Sequence, residues 1–315
     1  MTDLPADAVC IGESMAMLVP EDASPITDRS RFVVRVGGAE SNVAVSLARL
    51  GHRSRWVSAL GADPFGRIVL DDVAGAGVDT SFVVTDDAAP TGIYAKDPQG
   101  PSTRVHYYRR GSAASRMDVT GIDPAAAEGA GVVHLSGTTP ALSESCRRLT
   151  RAVVADRALG TATVSFDVNY RPGLWSVAEA AGELAAIARR ADIVFVGRDE
   201  AATLWGTDTA EDVRDLLPEP AVLVVKDGAT GASVHGPDGT TWADALRVPV
   251  VETVGAGDAF AAGWLSAWLR GLGPECSLRL GHLVASRAVQ IVGDCPEVPP
   301  RDEIDRYLGL QEERA

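Results

Sequence analysis

The sequence predicts an α/β fold, with an open, mainly parallel sheet and helices on both faces. Three observations predict it. Short apolar runs rich in β-branched residues recur along the chain, as strands buried on both faces require. Longer amphipathic segments alternate with them. A length of 315 residues, 46% of them hydrophobic, allows a large core.

The buried strands fall at 8–12, 53–60, 132–136, 162–168, 192–196 and 221–226. The first helix spans 41–50, with Val43, Leu47 and Leu50 on one face and Gly51 as its stop. Helices at 65–76 and 143–159 end at Gly77 and Gly160. Further helices lie at 179–190, 210–217, 256–270 and 277–292, and a strand at 246–251 leads into the third of these. Two regions break the alternation. Segments 15–19 and 31–36 read as strands with no helix between them, and 91–96 and 103–108 as a hairpin across Asp97-Pro98-Gln99-Gly100-Pro101. Four strands from two insertions suit a small projecting sheet, a lid over a ligand crevice. A charged tail closes the chain at 311–315.

Composition excludes several classes. The 29 basic and 43 acidic residues give a net charge of −14, which repels nucleic acid and anionic membranes as a whole. No run approaches the roughly 18 consecutive apolar residues of a membrane span. The acidic start, Met1-Thr2-Asp3-Leu4-Pro5-Ala6-Asp7, is unlike a secretion signal, so a cytoplasmic protein is expected. Cys10, Cys146, Cys276 and Cys295 form no CxxC pair and read as reduced thiols. The five histidines show no HExxH-like pairing that would mark a zinc site. Only two lysines occur, Lys96 and Lys226.

The strongest chemical signal is Glu252-Thr253-Val254-Gly255-Ala256-Gly257-Asp258. Glycines let backbone N–H groups approach a phosphate, and the start of the helix adds partial positive charge. Such a turn stabilises a phosphoryl group in transfer. Asp258 falls in the first helical turn, where a carboxylate either accepts a proton from an attacking hydroxyl or stabilises the helix start. A second glycine turn, Gly37-Gly38-Ala39-Glu40-Ser41-Asn42, opens the helix at 41–50. In Lys226-Asp227-Gly228-Ala229-Thr230-Gly231 the glycines suit a tight turn against a ligand or between two strands. No Gly-x-x-x-x-Gly-Lys-[Ser/Thr] occurs, which leaves a P-loop kinase unsupported.

The two glycine turns, about 215 residues apart, resemble the two signatures of the ribokinase-like (PfkB) carbohydrate kinases. The likeness runs from about residue 9 to 308. It implies one ribokinase-like three-layer α/β/α domain over 1–315, with a mainly parallel central sheet and a small β-sheet lid from about 15–36 and 91–108. It implies ATP and Mg2+ as cofactors, with room for a monovalent cation. Gly255, Ala256 and Gly257 would form the anion hole and Asp258 would be the catalytic base. Gly38 and Asn42 would bind the sugar. Asn169, Gly197, Lys226, Gly228, Ala229 and Gly231 would border the nucleotide together with Gly255 and Gly257. Glu200 would meet Mg2+ through water. Two departures stand out: Glu252 replaces the usual Asp of the second signature, and Gly197 replaces the Asn of Asn-x-x-Glu. The lid often forms a dimer interface in the family, which allows a homo-oligomer.

The segments Thr91-Gly92-Ile93-Tyr94, His106-Tyr107-Tyr108-Arg109-Arg110, His134-Leu135-Ser136-Gly137 and Asp167-Val168-Asn169-Tyr170-Arg171-Pro172 resemble the 2-keto-3-deoxygluconate kinase branch of that family. A sugar acid adds a carboxylate, and arginine pairs with one in a planar fork. The resemblance assigns Tyr94, Tyr107, Arg109, Arg171 and Asp294 to the substrate. Tyr107 and Tyr108 point to opposite faces of a strand, so at most one meets the sugar. Solvent exposure for Arg109 and a structural ion pair for Arg171 are the competing readings. The functional alternatives are fructokinase or another sugar kinase of the family and, from a different class, an inactive sugar-acid-binding sensor.

Overall fold

The computed structural model describes residues 5–22, 24–99 and 102–310. Its strands are β1 (Ala8–Ile11), β2 (Met15–Pro20), β3 (Phe32–Gly37), β4 (Ser54–Gly61), β5 (Val83–Asp86), β6 (Ile93–Gln99), β7 (Ser102–Tyr108), β8 (Val132–Ser136), β9 (Thr163–Asp167), β10 (Ile193–Gly197), β11 (Val222–Asp227), β12 (Gly231–Gly236) and β13 (Gly239–Asp244). Its α-helices are α1 (Ala39–Arg49), α2 (Pro64–Gly75), α3 (Thr138–Leu142), α4 (Glu144–Val154), α5 (Val177–Ala188), α6 (Arg198–Trp205), α7 (Ala210–Leu216), α8 (Ala256–Leu269), α9 (Pro274–Ala288) and α10 (Arg301–Leu308).

Nine strands form one sheet in the order β13-β12-β11-β10-β9-β8-β1-β4-β5. It is parallel from β5 to β11, and β12 and β13 add an antiparallel edge. The six buried strands expected from the sequence are β1, β4, β8, β9, β10 and β11. Alternate residues of each face opposite layers. Val9, Ile11, Val194 and Val196 pack with residues of α4, α5, α6 and α7. Ala8, Cys10, Ile193 and Phe195 pack with residues of α1, α2, α8 and α9. Local chemistry sets several helix starts. Asp63 caps α2 by accepting from Gly66 N–H, with Pro64 at the first position, and Ser143 caps α4. Ser176 and Glu179 form a capping box on α5.

The sheet changes direction between β1 and β8, since the chain runs from β1 to β4 on one side and later returns to β8 on the other. Ligands of open α/β sheets bind beyond the strand C-termini at such a reversal. The insertion strands form a second sheet, β3-β2-β6-β7, with Tyr94 opposite Tyr107. Gly100 and Pro101 of the expected turn, the tail at 311–315 and residues 1–4 lie outside the described residues.

One expected strand is absent: 246–251 has no strand partner. Pro249 lacks an N–H to donate, and Val250 and Val251 are 62% and 59% exposed, so neither a ladder nor burial holds a strand there. The Val251 N–H instead donates to Val289 O at 2.7 Å. The hairpin β12–β13 takes the edge. The helix expected at 143–159 stops at Val154, and that expected at 277–292 runs from Pro274 to Ala288. All four cysteines are free thiols. Among the described residues no helix is long and apolar enough to cross a membrane.

Phe166 is the fourth of the five residues of β9 and is fully buried. Phe166→Ala should cost about 3–5 kcal/mol of unfolding free energy, through lost apolar contact and the cavity left behind. Urea denaturation of both proteins measures it.

Candidate active site

One crevice of about 890 Å³ opens beyond the C-terminal ends of β1, β8, β9, β10 and β11, with the small sheet along one side. It is lined by Gly38, Asn42, Tyr94, Tyr107, Arg109 and Arg171, and by Asn169, Gly197, Glu200, Lys226, Gly228, Ala229 and Gly231. Gly255, Ala256, Gly257, Asp258 and Asp294 complete it. All the residues singled out in the sequence therefore meet at one place. Tyr107 lines the crevice, and Tyr108 on the other face of the strand is 68% exposed. The turn after β11 is both things its sequence allowed: it connects two antiparallel strands and it borders the crevice.

Two glycines are required by geometry. Gly255 caps α8 with φ of 79°, a left-handed conformation, and a Cβ there would sit 2.5 Å from Asp294 O. Gly38 lies so close to the end of β1 that a Cβ would sit 2.3 Å from Glu13 O. These close approaches seat the start of α8 against Asp294 and the start of α1 against Glu13.

Asp258, the third residue of α8, is buried. Its Oδ2 accepts from Asn42 Nδ2 at 2.8 Å and its Oδ1 from Asn169 Nδ2 at 3.4 Å. Its recorded partners are thus amides from α1 and from the loop after β9, rather than the start of its own helix. Burial pushes the carboxyl up to about 7, against the pull of the Asn42 hydrogen bond and Arg171, with Asp167 and Asp294 adding repulsion. Asn169 sits at φ of 37°, rare for a residue with a Cβ, in the loop that carries its amide to Asp258.

The other charges are mostly paired. Lys226 Nζ lies 2.7 Å from Asp167 Oδ2. Burial pulls the lysine down, but Asp167, Glu200 and Asp258 outweigh it and leave its pKa above the ordinary value. Arg109 is no solvated lid residue, because its Nε donates to Glu13 Oε2 at 2.6 Å and its Nη2 pairs with the same carboxylate. Ser112 Oγ donates to the other oxygen, Glu13 Oε1. Arg171 is only loosely paired, 3.9 Å from Glu200 with half its side chain exposed. Glu200 accepts from Gly197 N–H at 2.8 Å, a bond that caps the start of α6. Burial raises the Glu200 carboxyl.

Five further residues make contacts that no sequence motif assigned to them. Glu13 and Asp167 are carboxylates at the C-terminal ends of parallel strands, a position that could have marked them. Glu40, within the first glycine turn, is fully buried. Its Oε1 accepts from Ser136 N–H at 3.0 Å and from the Ser136 and Thr139 hydroxyls at 2.8 Å, joining α1 to β8 and α3. Lys96 and Glu252 meet at 2.8 Å across 156 residues of chain. The rarity of lysine was the one available hint.

The donors suit a hard divalent cation that arrives on phosphates. Asp167 and Glu200 line the crevice, and the buried Oδ1 of Asn169 has no hydrogen-bond partner. Among the described residues no group of three carboxylate, imidazole or thiol side chains could cage a metal by itself.

Comparison with known proteins decides the family. The pfkB family carbohydrate kinase signature matches residues 5–300. The chain belongs to the PfkB family of carbohydrate kinases. It is 36% identical to the 2-dehydro-3-deoxygluconokinase of Bacillus subtilis, over 97% of this chain and 96% of that one. It is 32% identical to the 2-dehydro-3-deoxygalactonokinase of Haloferax volcanii, over 96% of each. A crystal structure of a PfkB protein from Polaromonas sp. JS666 superposes with a TM-score of 0.85 at 37% identity, covering 95% of this chain and 99% of that one. This PfkB kinase is therefore an ATP-dependent sugar kinase with the ribokinase-like fold, a large mainly parallel sheet and a smaller separate one.

The raised Asp258 carboxyl carries a stability consequence. Between its ordinary value of 3.8 and about 7, the folded protein holds a proton that the unfolded chain has released. Stability falls as pH rises through that window, and above it the fold bears a buried charge. Asp258→Asn removes that charge. The variant should melt at higher temperature than the wild type at pH 8, with the gap closing toward pH 4. Melting curves across this range check it.

Proposed function

We propose that this PfkB kinase transfers the γ-phosphoryl group of ATP to the C6 hydroxyl of a 2-keto-3-deoxy sugar acid, 2-keto-3-deoxygluconate or its galactonate epimer. The observation that carries the reading is Asp258. A carboxyl raised to about 7 lies at the N-terminus of α8, in a crevice large enough for two ligands. The names of the Bacillus and Haloferax relatives support the substrate class, and their difference in epimer leaves both in the panel below.

In this mechanism the sugar acid lies between Gly38, Asn42 and the Tyr94–Tyr107 face of the small sheet, which acts as a lid. Arg171, half exposed and loosely paired, meets the substrate carboxylate first. Arg109, fixed by Glu13, offers its remaining N–H groups. The turn of Gly228, Ala229 and Gly231 borders ATP, and Lys226 turns toward its phosphates from Asp167. Mg2+ bound with ATP would be held by Asp167 and Glu200, in part through water, and supplies neutralisation of phosphate charge. Asp258, once ionised, takes the proton of the attacking hydroxyl. The amides of Gly255, Ala256 and Gly257 receive the charge that develops on the transferred group. Closing the small sheet excludes water and limits idle hydrolysis of ATP.

The Glu13–Arg109 pair favours a second reading, a neutral sugar as in fructokinase, because the buried carboxylate already neutralises that arginine. A rate panel of fructose, ribose, 2-keto-3-deoxygluconate and the galactonate epimer separates the two. Highest kcat/KM on a sugar acid supports the proposal, and highest on fructose or ribose contradicts it. Binding of a sugar acid with no ATP consumed would instead mark a sensor.

Asp258→Asn should lower kcat by about two to four powers of ten with substrate binding largely kept. The base works ionised, so wild-type kcat/KM should fall as pH drops below about 7. Arg171→Ala should cost about 10–100-fold in kcat/KM on the sugar acid, the worth of a charged hydrogen bond, and far less on a neutral sugar. Equal losses on both would show that Arg171 reads no carboxylate.

A further inference from the structure

Lys96 lies on β6 of the small sheet and is almost fully buried. Its Nζ is 2.8 Å from Glu252 Oε2 and 3.2 Å from Asp294 Oδ1. These two carboxylates come from the two chain segments that hold the turn before α8. Glu252 lies three residues ahead of Gly255. Asp294 follows α9, and its backbone packs so tightly on Gly255 that a Cβ there would be 2.5 Å from Asp294 O. The second oxygen of Asp294 accepts from Tyr94 OH at 2.9 Å, and Tyr94 is also on β6. One strand of the small sheet thus supplies both side-chain donors recorded for Asp294, and its ammonium grips Glu252 as well.

A buried ammonium is costly to desolvate, and one carboxylate suffices to satisfy its charge. Here a single ammonium bridges two carboxylates from opposite flanks of the same turn. We propose that Lys96 is a positioning residue for phosphoryl transfer, which sets the Gly255-Ala256-Gly257 turn and the Asp294 side chain in register and couples them to the seating of the small sheet. The inference rests on the roles assigned above to that turn and to Asp258. Without Lys96, Asp294 keeps only the Tyr94 bond, Glu252 loses its partner, and the two segments are free to part. The turn then presents its amides off line to the transferring group, while the ATP-binding surface at Gly228 and Gly231 is untouched.

Lys96→Met in the full chain, assayed with ATP and the best acceptor of the sugar panel, tests this. A misplaced anion turn should lower kcat by about 10–100-fold. KM for ATP should change little, and the melting temperature should fall by only a few degrees. Lys96→Arg, which restores a cation, should recover part of the loss. Unchanged kcat in Lys96→Met, or a loss in step with KM for ATP and with melting temperature, overturns the proposal. If the single variant does not fold, Lys96→Met with Glu252→Gln removes one unpaired charge and keeps the test open. That pair should fold and stay slow, and wild-type kcat in it would show that Lys96 merely neutralises Glu252. Asp258→Asn is run alongside. A slow Asp258→Asn with a normal Lys96→Met sinks this inference alone, whereas a normal Asp258→Asn sinks the site assignment beneath it.

Discussion

A carboxylate buried at the start of α8, held by an amide from the start of α1, is the contact on which the rest of the site turns. Asp258 and Asn42 are 216 residues apart in sequence and 2.8 Å apart in space. Bringing them together requires α1 and α8 to lie side by side on one face of the sheet, which the shared apolar layer of Val43, Leu47, Phe260 and Leu265 achieves. It also requires tight backbone approaches at both helix starts, which Gly38 and Gly255 permit. The fold is in this sense a device for placing one acid where helix amides converge.

Burial and the pattern of charge around Asp258 account for its raised carboxyl. Glu13 has Arg109, Asp167 has Lys226, and Glu252 and Asp294 share Lys96. Asp258 receives amide hydrogens, with no cation in contact among the described residues, while Asp167 and Asp294 repel it from nearby. A group so placed favours the protonated form more than a salt-bridged carboxylate would. Its carboxyl is raised to about 7. The paired carboxylates hold the crevice lysines and Arg109 in place.

Much of this was legible in the sequence, for physical reasons that particular residues make plain. Continuous β-branched runs located the six central parallel strands, because a strand covered on both faces has no polar alternation to blur it. Helix stops at Gly51 and Gly77 were readable because each takes positive φ, which glycine adopts freely. Segment 246–251 misled because its valines match a strand in composition, while Pro249 and the lack of a neighbour prevent one. The hairpin β12–β13 and helix α6 went unread: the first is short and bounded by glycine, and the second begins directly where β10 ends. The glycine turns pointed to a single crevice, but pairings such as Lys96 with Glu252 or Arg109 with Glu13 join residues that no local pattern connects. Those long-range pairings separate a list of candidate residues from a working arrangement of charge.

The most direct measurement is a crystal structure of the protein with a non-hydrolysable ATP analogue and the preferred sugar acid. The acceptor hydroxyl should lie within about 2.6–3.2 Å of an Asp258 oxygen, with the γ-phosphate facing the amides of Gly255, Ala256 and Gly257. A complex in which Asp258 still contacts only Asn42 and Asn169, with the terminal phosphate bound away from the start of α8, would contradict it.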